Sequence, residues 1–282
     1  MGKIFDALEK SEKENTKSDD IVLDNIENGS SDKIKEKTNL NFLFKPNNRN
    51  QKKIAPSLIT LSQPQSFETE QFRSLKTNLM FSSEGKIPRI IMVTSAVPDE
   101  GKSFVAANLA VTFAQSVDEH VLLIDCDLRL PTVHKVFGLH DETLGLSDFL
   151  NGKIDIPDAL HKTGINKLTV MPGGRVPNNP AELLSSIRMK NLLKEVEARY
   201  NDRYIIIDSP PPLLTAETIA LSKQVDGIVI VIKHESTSRN DVKEMINLMD
   251  KTKIVGVVVN RYDVRLEKYY GYGKYGSYYV RK

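Results

Sequence analysis

The residues with the most specific chemistry lie at positions 93–103, VTSAVPDEGKS, between an apolar run and a helix-forming stretch. In such a loop, backbone N–H groups at the amino end of a helix surround phosphate oxygens. Gly101 permits a close backbone approach, the Lys102 ammonium reaches the outer phosphates, and the Ser103 hydroxyl ligates Mg²⁺. Ala96 replaces the first glycine of the usual pattern, at the start of the turn. The predicted nucleotide-binding residues of this loop are Ala96, Pro98, Asp99, Glu100, Gly101, Lys102, Ser103 and Phe104.

Three acidic residues complete the predicted site. Asp125 and Asp127 close the apolar run of VLLIDCD, and Asp208 closes that of YIIID. The period of two in a strand would direct Asp125 and Asp127 to the same side if the strand continued through both. Carboxylates gathered at one point repel each other unless a cation lies between them, and Mg²⁺ prefers oxygen ligands. The predicted metal ligands are Ser103 and these three acids, and the acids form the predicted catalytic set with Lys102.

These residues need a scaffold that brings several strand ends together. Apolar runs of strand length occupy residues 89–94, 120–125, 204–208, 227–232 and 254–260, and helical stretches occupy 102–116, 190–200 and 240–250. This alternation predicts an α/β fold, a mostly parallel sheet with helices on both faces, of the P-loop NTPase type with a deviant Walker motif. Ligands bind beyond the carboxyl ends of the strands in such sheets.

Composition limits the possible function classes. The 39 Lys and Arg residues nearly balance the 37 Asp and Glu residues, which argues against a basic surface for nucleic acid. Cys126 is the single cysteine, so an internal disulfide is impossible and a reducing cytoplasm is expected. No apolar run approaches the ~20 residues that span a bilayer, and we expect no secreted or membrane-spanning protein.

The chain divides into four predicted segments. Residues 1–13 form a short amphipathic helix, and residues 14–56 form a disordered linker too polar to bury the surface that ordering requires. Residues 57–260 form the catalytic domain. Residues 261–282 form a flexible tail with six Lys and Arg residues against two Asp and Glu residues.

Six of the nine tyrosines lie within the last 14 residues of the chain. A phenol can accept a phosphoryl group, and 22 extended residues reach on the order of 70 Å, to the chain's own site or to a neighbour's. The phenol is protonated at neutral pH, so Asp125 or Asp127 would accept its proton. Our hypothesis is that the tail is the substrate of its own kinase domain. The predicted phosphoacceptors are Tyr269, Tyr270, Tyr272, Tyr275, Tyr278 and Tyr279.

Together these features resemble the bacterial tyrosine kinases of capsule and exopolysaccharide synthesis. The resemblance covers about residues 58–282 and rests on the phosphate loop, VLLIDCDLR, IIIDSP, the stretch PGGRVPNNPAELLSS at 172–186 and the tyrosine cluster. It implies a cytoplasmic autokinase that uses ATP and Mg²⁺ and governs polymer length and export. It also implies a transmembrane activator of the polysaccharide co-polymerase type, which would hold the kinase at the inner face of the membrane. Further implied partners are other copies of the chain, in an oligomer or ring, and a cognate tyrosine phosphatase.

The family also has an oligomerisation motif, E-x-x-R-x-x-R, on a helix before the phosphate loop. This sequence has Glu70, Arg73 and Lys76 at the three positions. A spacing of three places them on one helical face. Lys76 departs from the pattern, because an ammonium cannot make the bidentate pair that a guanidinium makes.

Three other function classes are weighed against a kinase. A MinD/ParA-like positioning ATPase, a nucleotide-dependent dimerisation switch, is the nearest, but that class carries a further lysine where this sequence has Val97. The sequence NRYD at 260–263 loosely resembles a guanine-reading motif, but no glycine follows Asp208 at the γ-phosphate-sensing position. An adaptor without activity would need a vestigial loop, whereas the lysine, serine and acids are present. By their position at the end of the last predicted strand, Asn260 and Arg261 are predicted adenine contacts.

Overall fold

A computed structural model of the chain describes residues 55–81, 87–199 and 203–262. The predicted amino-terminal helix, nearly all of the predicted linker and the six predicted phosphoacceptor tyrosines lie outside these residues. The division of the chain into four segments therefore stays a prediction.

Within the described residues, seven strands form one sheet, in the order β3-β4-β2-β5-β1-β6-β7. Every neighbouring pair is parallel except β3 with β4. The strands are β1 Ile90–Ser95, β2 His120–Asp125, β3 His161–Lys162, β4 Leu168–Met171, β5 Arg203–Asp208, β6 Gly227–Lys233 and β7 Ile254–Asn260. The five strands predicted from the sequence are all present, within one residue at each end. The α/β architecture is thus confirmed, whereas β3 and β4 were not predicted.

Helices flank the sheet, and they include the three predicted ones as α3, α8 and α10. The helices are α1 Ile59–Ser62, α2 Phe67–Met80, α3 Lys102–Ala114, α4 Val133–Val136, α5 Leu146–Leu150, α6 Ile156–Ala159, α7 Pro180–Leu184, α8 Ile187–Arg199, α9 Ala216–Ser222 and α10 Arg239–Leu248, with a 3₁₀ turn at Lys251–Lys253. The hydroxyl of Ser66 begins α2, because it accepts the backbone N–H of Thr69 at 3.2 Å. Within the described ranges, no helix combines the length and apolar character needed to cross a bilayer.

The apolar core lies on both faces of the sheet. Ile90 and Met92 of β1 belong to one buried cluster, and Ile91 and Val93 belong to the other. A central strand buried on both faces is apolar at every position, which explains the continuous runs in the sequence. Helix α3 covers one face with small side chains, and its Phe113 packs on Tyr204 of β5 with ring centroids 4.4 Å apart.

Asn108 ties the first described segment to α3. Its side chain is fully buried and accepts both the backbone N–H and the hydroxyl of Thr60 at 3.2 Å. Its amide donates to the carbonyl oxygens of Ser57 and Phe104 at 3.0 Å. One side chain therefore fixes α1 against the helix that follows the phosphate loop.

Residues 254–260 form the predicted strand, but this strand is exposed on one face. Among the described residues β7 pairs with β6 alone, at the edge of the sheet. Val257 and Val259 are 54% and 48% exposed, and burial alternates along the strand. Apolar residues in an edge strand need not be buried, and the sequence gives no sign of where the sheet ends.

Candidate active site

The phosphate loop lies between the carboxyl end of β1 and the amino end of α3. Two of its residues adopt left-handed backbone conformations, Asp99 with φ 61° and Gly101 with φ 92°. A Cβ atom at Gly101 would collide with the side-chain amide of Asn260. Glycine is therefore required at this position by both the backbone angle and the lack of space.

Internal hydrogen bonds hold the loop in shape. The Ser95 hydroxyl donates to the carbonyl oxygen of Val97 at 2.8 Å, and a Glu100 carboxylate oxygen accepts the Val97 N–H at 3.1 Å. Glu100 is 1% exposed, although Pro98 and Asp99 just before it lie at the surface. The Asn260 amide donates to the Glu100 carbonyl oxygen at 2.7 Å, which joins the end of β7 to the loop.

The three predicted acids meet at one edge of the sheet, beside the loop. Asp125 and Asp208 end the neighbouring strands β2 and β5 and lie opposite each other in the register. Strand β2 ends at Asp125, so the period of two does not extend to Asp127. A backbone turn brings Asp127 back instead, with its N–H donating to an Asp125 oxygen at 3.1 Å. The Lys102 ammonium lies 2.9 Å from Asp127 Oδ2.

The three carboxylates have different partners. One Asp125 oxygen accepts the backbone N–H groups of Thr132 and Val133, each at 3.0 Å, and the other accepts the N–H of Asp127. Asp127 uses Oδ2 for Lys102 and Oδ1 for the N–H of Leu130 at 3.2 Å. Asp208 is fully buried, and neither of its oxygens accepts a hydrogen bond of normal geometry. Asp208 is therefore the carboxylate with free coordination capacity.

Burial and mutual repulsion change the acidity of this cluster. Burial raises the pKa of Asp208 to about 6, although Lys102 and the nearby Ser103 hydroxyl lower it. Burial and the Asp208 charge raise the pKa of Asp125 well above its usual range, against the backbone donors of Val133 and Thr132. Burial alone would lower the pKa of Lys102, but the charges of Asp208, Asp127 and Asp125 raise it. The lysine is thus held cationic at physiological pH.

The residues present fit Mg²⁺ held mainly through nucleotide and water. Among the described residues, no three acidic, histidine or cysteine side chains are arranged to ligate one ion directly. The unpartnered oxygens of Asp208 beside Ser103 suit a cation whose other ligands are phosphate oxygens and water. The metal-ligand roles of Ser103, Asp125, Asp127 and Asp208 stay predictions, and Asp125 already uses both oxygens for backbone donors.

The remaining predicted nucleotide contacts lie in different environments, some in the loop and others away from it. Ala96 is buried at the end of β1, and Pro98 and Asp99 are exposed in the loop. Phe104 packs its ring against Phe72 of α2, with centroids 6.0 Å apart. Asn260 touches the loop, whereas Arg261 is exposed just beyond β7, at a left-handed turn with φ 57°. Their roles toward adenine stay predictions.

The predicted oligomerisation residues do not share one environment. Arg73 pairs with Glu70 at 2.9 Å, and both side chains are more than two-fifths exposed. Lys76 is bonded within its own chain, because its ammonium donates to the Ser116 hydroxyl beside the Phe113 ring. Burial lowers the pKa of Lys76. Whether these residues form a subunit contact stays a prediction.

Sequence reasoning missed two features at this edge of the sheet. Strand β4 precedes the stretch 172–186, whose Pro172 and Gly173 carbonyls accept the N–H groups of Leu146 and Ser147 at 2.8 and 3.0 Å. Arg129 pairs with the buried Glu217 at 2.9 Å, which fixes the loop carrying Asp127 to α9. The LTVM sequence of β4 is a short apolar run and was a usable signal, whereas nothing in the sequence pairs Arg129 with Glu217.

Comparisons with known proteins agree on a family. Residues 86–269 match the model of the ParA family, described as NUBPL iron-transfer P-loop NTPase. The chain is 40% identical over 223 residues to tyrosine-protein kinase YwqD of Bacillus subtilis (strain 168), covering 78% of this chain and 92% of YwqD. It is 36% identical to the crystal structure of the chimerical protein CapA2B2, with a TM-score of 0.68, over 73% of this chain and 90% of that one. The kinase domain of Escherichia coli tyrosine kinase ETK has 30% identity and a TM-score of 0.68, over 78% of this chain and 87% of that one.

The positioning ATPases share the fold at greater distance. Pyrococcus furiosus cell division ATPase MinD is 25% identical with a TM-score of 0.52, over 62% of this chain and 72% of that chain. This likeness gives the fold context, because the higher identities and TM-scores belong to kinases. A nucleotide-binding P-loop fold is common to both groups.

Proposed function

Since the chain belongs to the bacterial tyrosine-protein kinases, within the ParA-type P-loop NTPases, we propose that its acceptor is its own tail. In this proposal the γ-phosphate of ATP is transferred to tyrosines between Tyr269 and Tyr279. The observation that best supports phosphoryl transfer at this site is the Lys102 ammonium, 2.9 Å from Asp127 and beside the buried Asp208. The six tyrosines in the last 14 residues support the tail as acceptor.

Each residue of the site has a distinct part in the proposed transfer. Lys102 and the loop N–H groups would neutralise and orient the phosphates, and Ser103 and Asp208 would hold Mg²⁺. Bound Mg²⁺ would offset charge on the phosphate oxygens. The phenol oxygen forms the new O–P bond as the bond from the γ-phosphorus to the bridging oxygen breaks, and ADP leaves with that electron pair. Asp125 or Asp127 accepts the phenol proton; both carboxylates already accept backbone N–H groups, and Asp127 also pairs with Lys102.

Phosphorylation would reverse the charge of the tail. The segment 261–282 carries six Lys and Arg residues against two Asp and Glu residues. Six phosphates would each add roughly −1.5 to −2 charges. In this proposal the new repulsion releases contacts between copies of the chain, and phosphatase action restores them. Oligomer size before and after autophosphorylation tests this step, and an unchanged size contradicts it.

The proposal extends to the cellular role implied by the family resemblance. The kinase would act in exopolysaccharide or capsule polymerisation and export, in the cytoplasm at the inner face of the membrane. A transmembrane activator of the co-polymerase type would hold it there, and a cognate tyrosine phosphatase would reset it. This extension requires that the full chain co-purifies with a membrane protein, and that this co-purification depends on the unphosphorylated tail.

The test of the central proposal is mass spectrometry of the tail after incubation with Mg²⁺ and ATP. Wild type should carry phosphotyrosine between Tyr269 and Tyr279, and Lys102→Met should carry none. Lys194→Met, which changes an exposed lysine on α8, is the matched control and should label like wild type. Phosphate on serine or threonine alone, or none on wild type, would overturn the proposal.

A mixing experiment separates a chain's own site from that of a neighbour. Lys102→Met supplies an intact tail without activity, and a variant with all six tail tyrosines changed to Phe supplies activity without acceptors. Label on the Lys102→Met chain after mixing means transfer between chains. If wild type alone becomes labelled but neither chain in the mixture does, transfer occurs within one chain.

A further inference from the structure

The side chain of Glu100 is an unusual component of a phosphate-binding loop. A carboxylate near a triphosphate repels it, yet Glu100 is the residue directly before Gly101 and is 1% exposed. Both of its oxygens are engaged: one accepts the N–H of Val97 at 3.1 Å, and the other accepts the hydroxyl of Thr237. Donors on both oxygens hold the carboxylate in one place.

Thr237 comes from outside the loop, in the segment between β6 and α10. Its hydroxyl oxygen accepts the N–H of Lys233 at 2.7 Å and lies 3.2 Å from the Lys233 carbonyl oxygen. A hydroxyl has one hydrogen to donate, and an ionised carboxylate is a stronger acceptor than a carbonyl oxygen. The backbone of β6 thus orients the Thr237 hydroxyl toward Glu100.

We propose that Thr237 is a positioning residue for nucleotide binding, which acts on the phosphate loop through the Glu100 carboxylate. The chain of contacts runs from the Lys233 N–H to the Thr237 hydroxyl, to Glu100, and to the Val97 N–H inside the loop. In this proposal the Thr237 hydroxyl keeps the phosphate loop in the shape that nucleotide binding requires. The proposal rests on nucleotide binding at this loop and does not depend on which residue accepts the phosphate.

The rest of the loop has separate support, so loss of the Thr237 hydroxyl should leave the fold intact. The Asn260 amide holds the Glu100 carbonyl oxygen at 2.7 Å, and the Ser95 hydroxyl holds Val97. Thr237 itself is only partly buried, in a segment flanked by exposed residues. Its removal should therefore change nucleotide affinity and KM for ATP more than thermal stability or kcat.

The experiment compares Thr237→Val, which keeps the shape and loses the hydroxyl, with Thr237→Ser, which keeps the hydroxyl. Thr252→Val is the matched control, because its hydroxyl bonds an exposed Asp250 in the 3₁₀ turn. The measurements on the full chain are the Kd of a fluorescent ADP analogue with Mg²⁺, the KM and kcat for ATP, and the Tm without nucleotide.

We expect Thr237→Val to weaken binding and raise the KM about tenfold, the effect of one lost hydrogen bond to a charged group. Its kcat should stay within about twofold of wild type, and Thr237→Ser and Thr252→Val should bind like wild type. Glu100→Gln should also weaken binding, and Thr237→Val should add little in that background, because both changes break one contact.

Unchanged binding by Thr237→Val overturns the proposal, as does full additivity with Glu100→Gln. Equal weakening by the Ser and Val variants, with a lowered Tm in both, means a merely structural role and also overturns it. Wild type that binds nucleotide but leaves its tail unlabelled contradicts the proposed acceptor and leaves this inference standing.

Discussion

Replacing Asp208 with Asn tests the central electrostatic feature of the site, a buried carboxylate without a normal hydrogen-bond partner. In protein free of metal and nucleotide, burial raises the pKa of this carboxyl from 3.8 to about 6. The folded state therefore binds a proton more tightly than the unfolded chain. Wild-type stability should fall as pH rises from about 4 to about 7, and an Asn side chain cannot ionise and escapes this loss.

The size of the effect follows from the two pKa values. Ionisation of Asp208 costs the folded protein about 1 kcal/mol at pH 4.5 and about 3 kcal/mol at pH 8. The packing of the Asn amide has its own cost, but that cost is the same at both pH values. The free energy of unfolding of Asp208→Asn, minus that of wild type, should thus be about 2 kcal/mol larger at pH 8 than at pH 4.5, so the variant is relatively more stable at pH 8.

Urea unfolding with EDTA at the two pH values measures this difference. Asp118→Asn is the control, because Asp118 is exposed and its replacement should follow wild type at both pH values. Asp208→Asn should at the same time lose tyrosine phosphorylation with Mg²⁺ and ATP. A relative stability that is equal at the two pH values, or greater at pH 4.5, refutes the idea that an unsatisfied charge is stored at Asp208.

Three further changes should each affect one part of the molecule. Gly101→Ala should weaken the binding of a fluorescent nucleotide at least about tenfold. The alanine Cβ would collide with the Asn260 side chain, and the backbone at this position has φ 92°, which disfavours alanine. Wild-type affinity in this variant would contradict the geometry of the loop. Arg129→Met should lower the free energy of unfolding in urea by about 2 kcal/mol, since it leaves the buried Glu217 carboxylate unpaired, and a loss below about 0.5 kcal/mol would be inconsistent with this. Asn108→Ala should cost about 2 kcal/mol in the same assay and speed amide hydrogen exchange in α1, whereas unaltered exchange in α1 would show that other contacts hold it.

The sequence predicted those parts of the molecule that depend on local patterns. Strand ends after continuous apolar runs located Asp125 and Asp208, and the glycine, lysine and serine at 101–103 between a strand and a helix located the loop. It did not predict how the carboxylates would be partnered, because that depends on backbone N–H groups brought in by a turn after β2. The exposure of β7 was also unpredictable, since an edge strand and a central strand have similar apolar sequences.

The order of the strands explains why binding and transfer should respond to different substitutions. Strand β1, which carries the phosphate loop, lies between β5 on one side and β6 on the other. The acids come from the ends of β2 and β5 and the turn after β2, whereas the contacts that brace the loop come from the segment after β6, at Thr237, and from the end of β7, at Asn260. Ligands of such sheets bind where the chain reverses its direction of travel across the sheet, here beside β1. Substitutions of Thr237 and Asn260 should therefore change nucleotide affinity, whereas substitution of Asp127, which follows β2, should change the rate of transfer at saturating nucleotide.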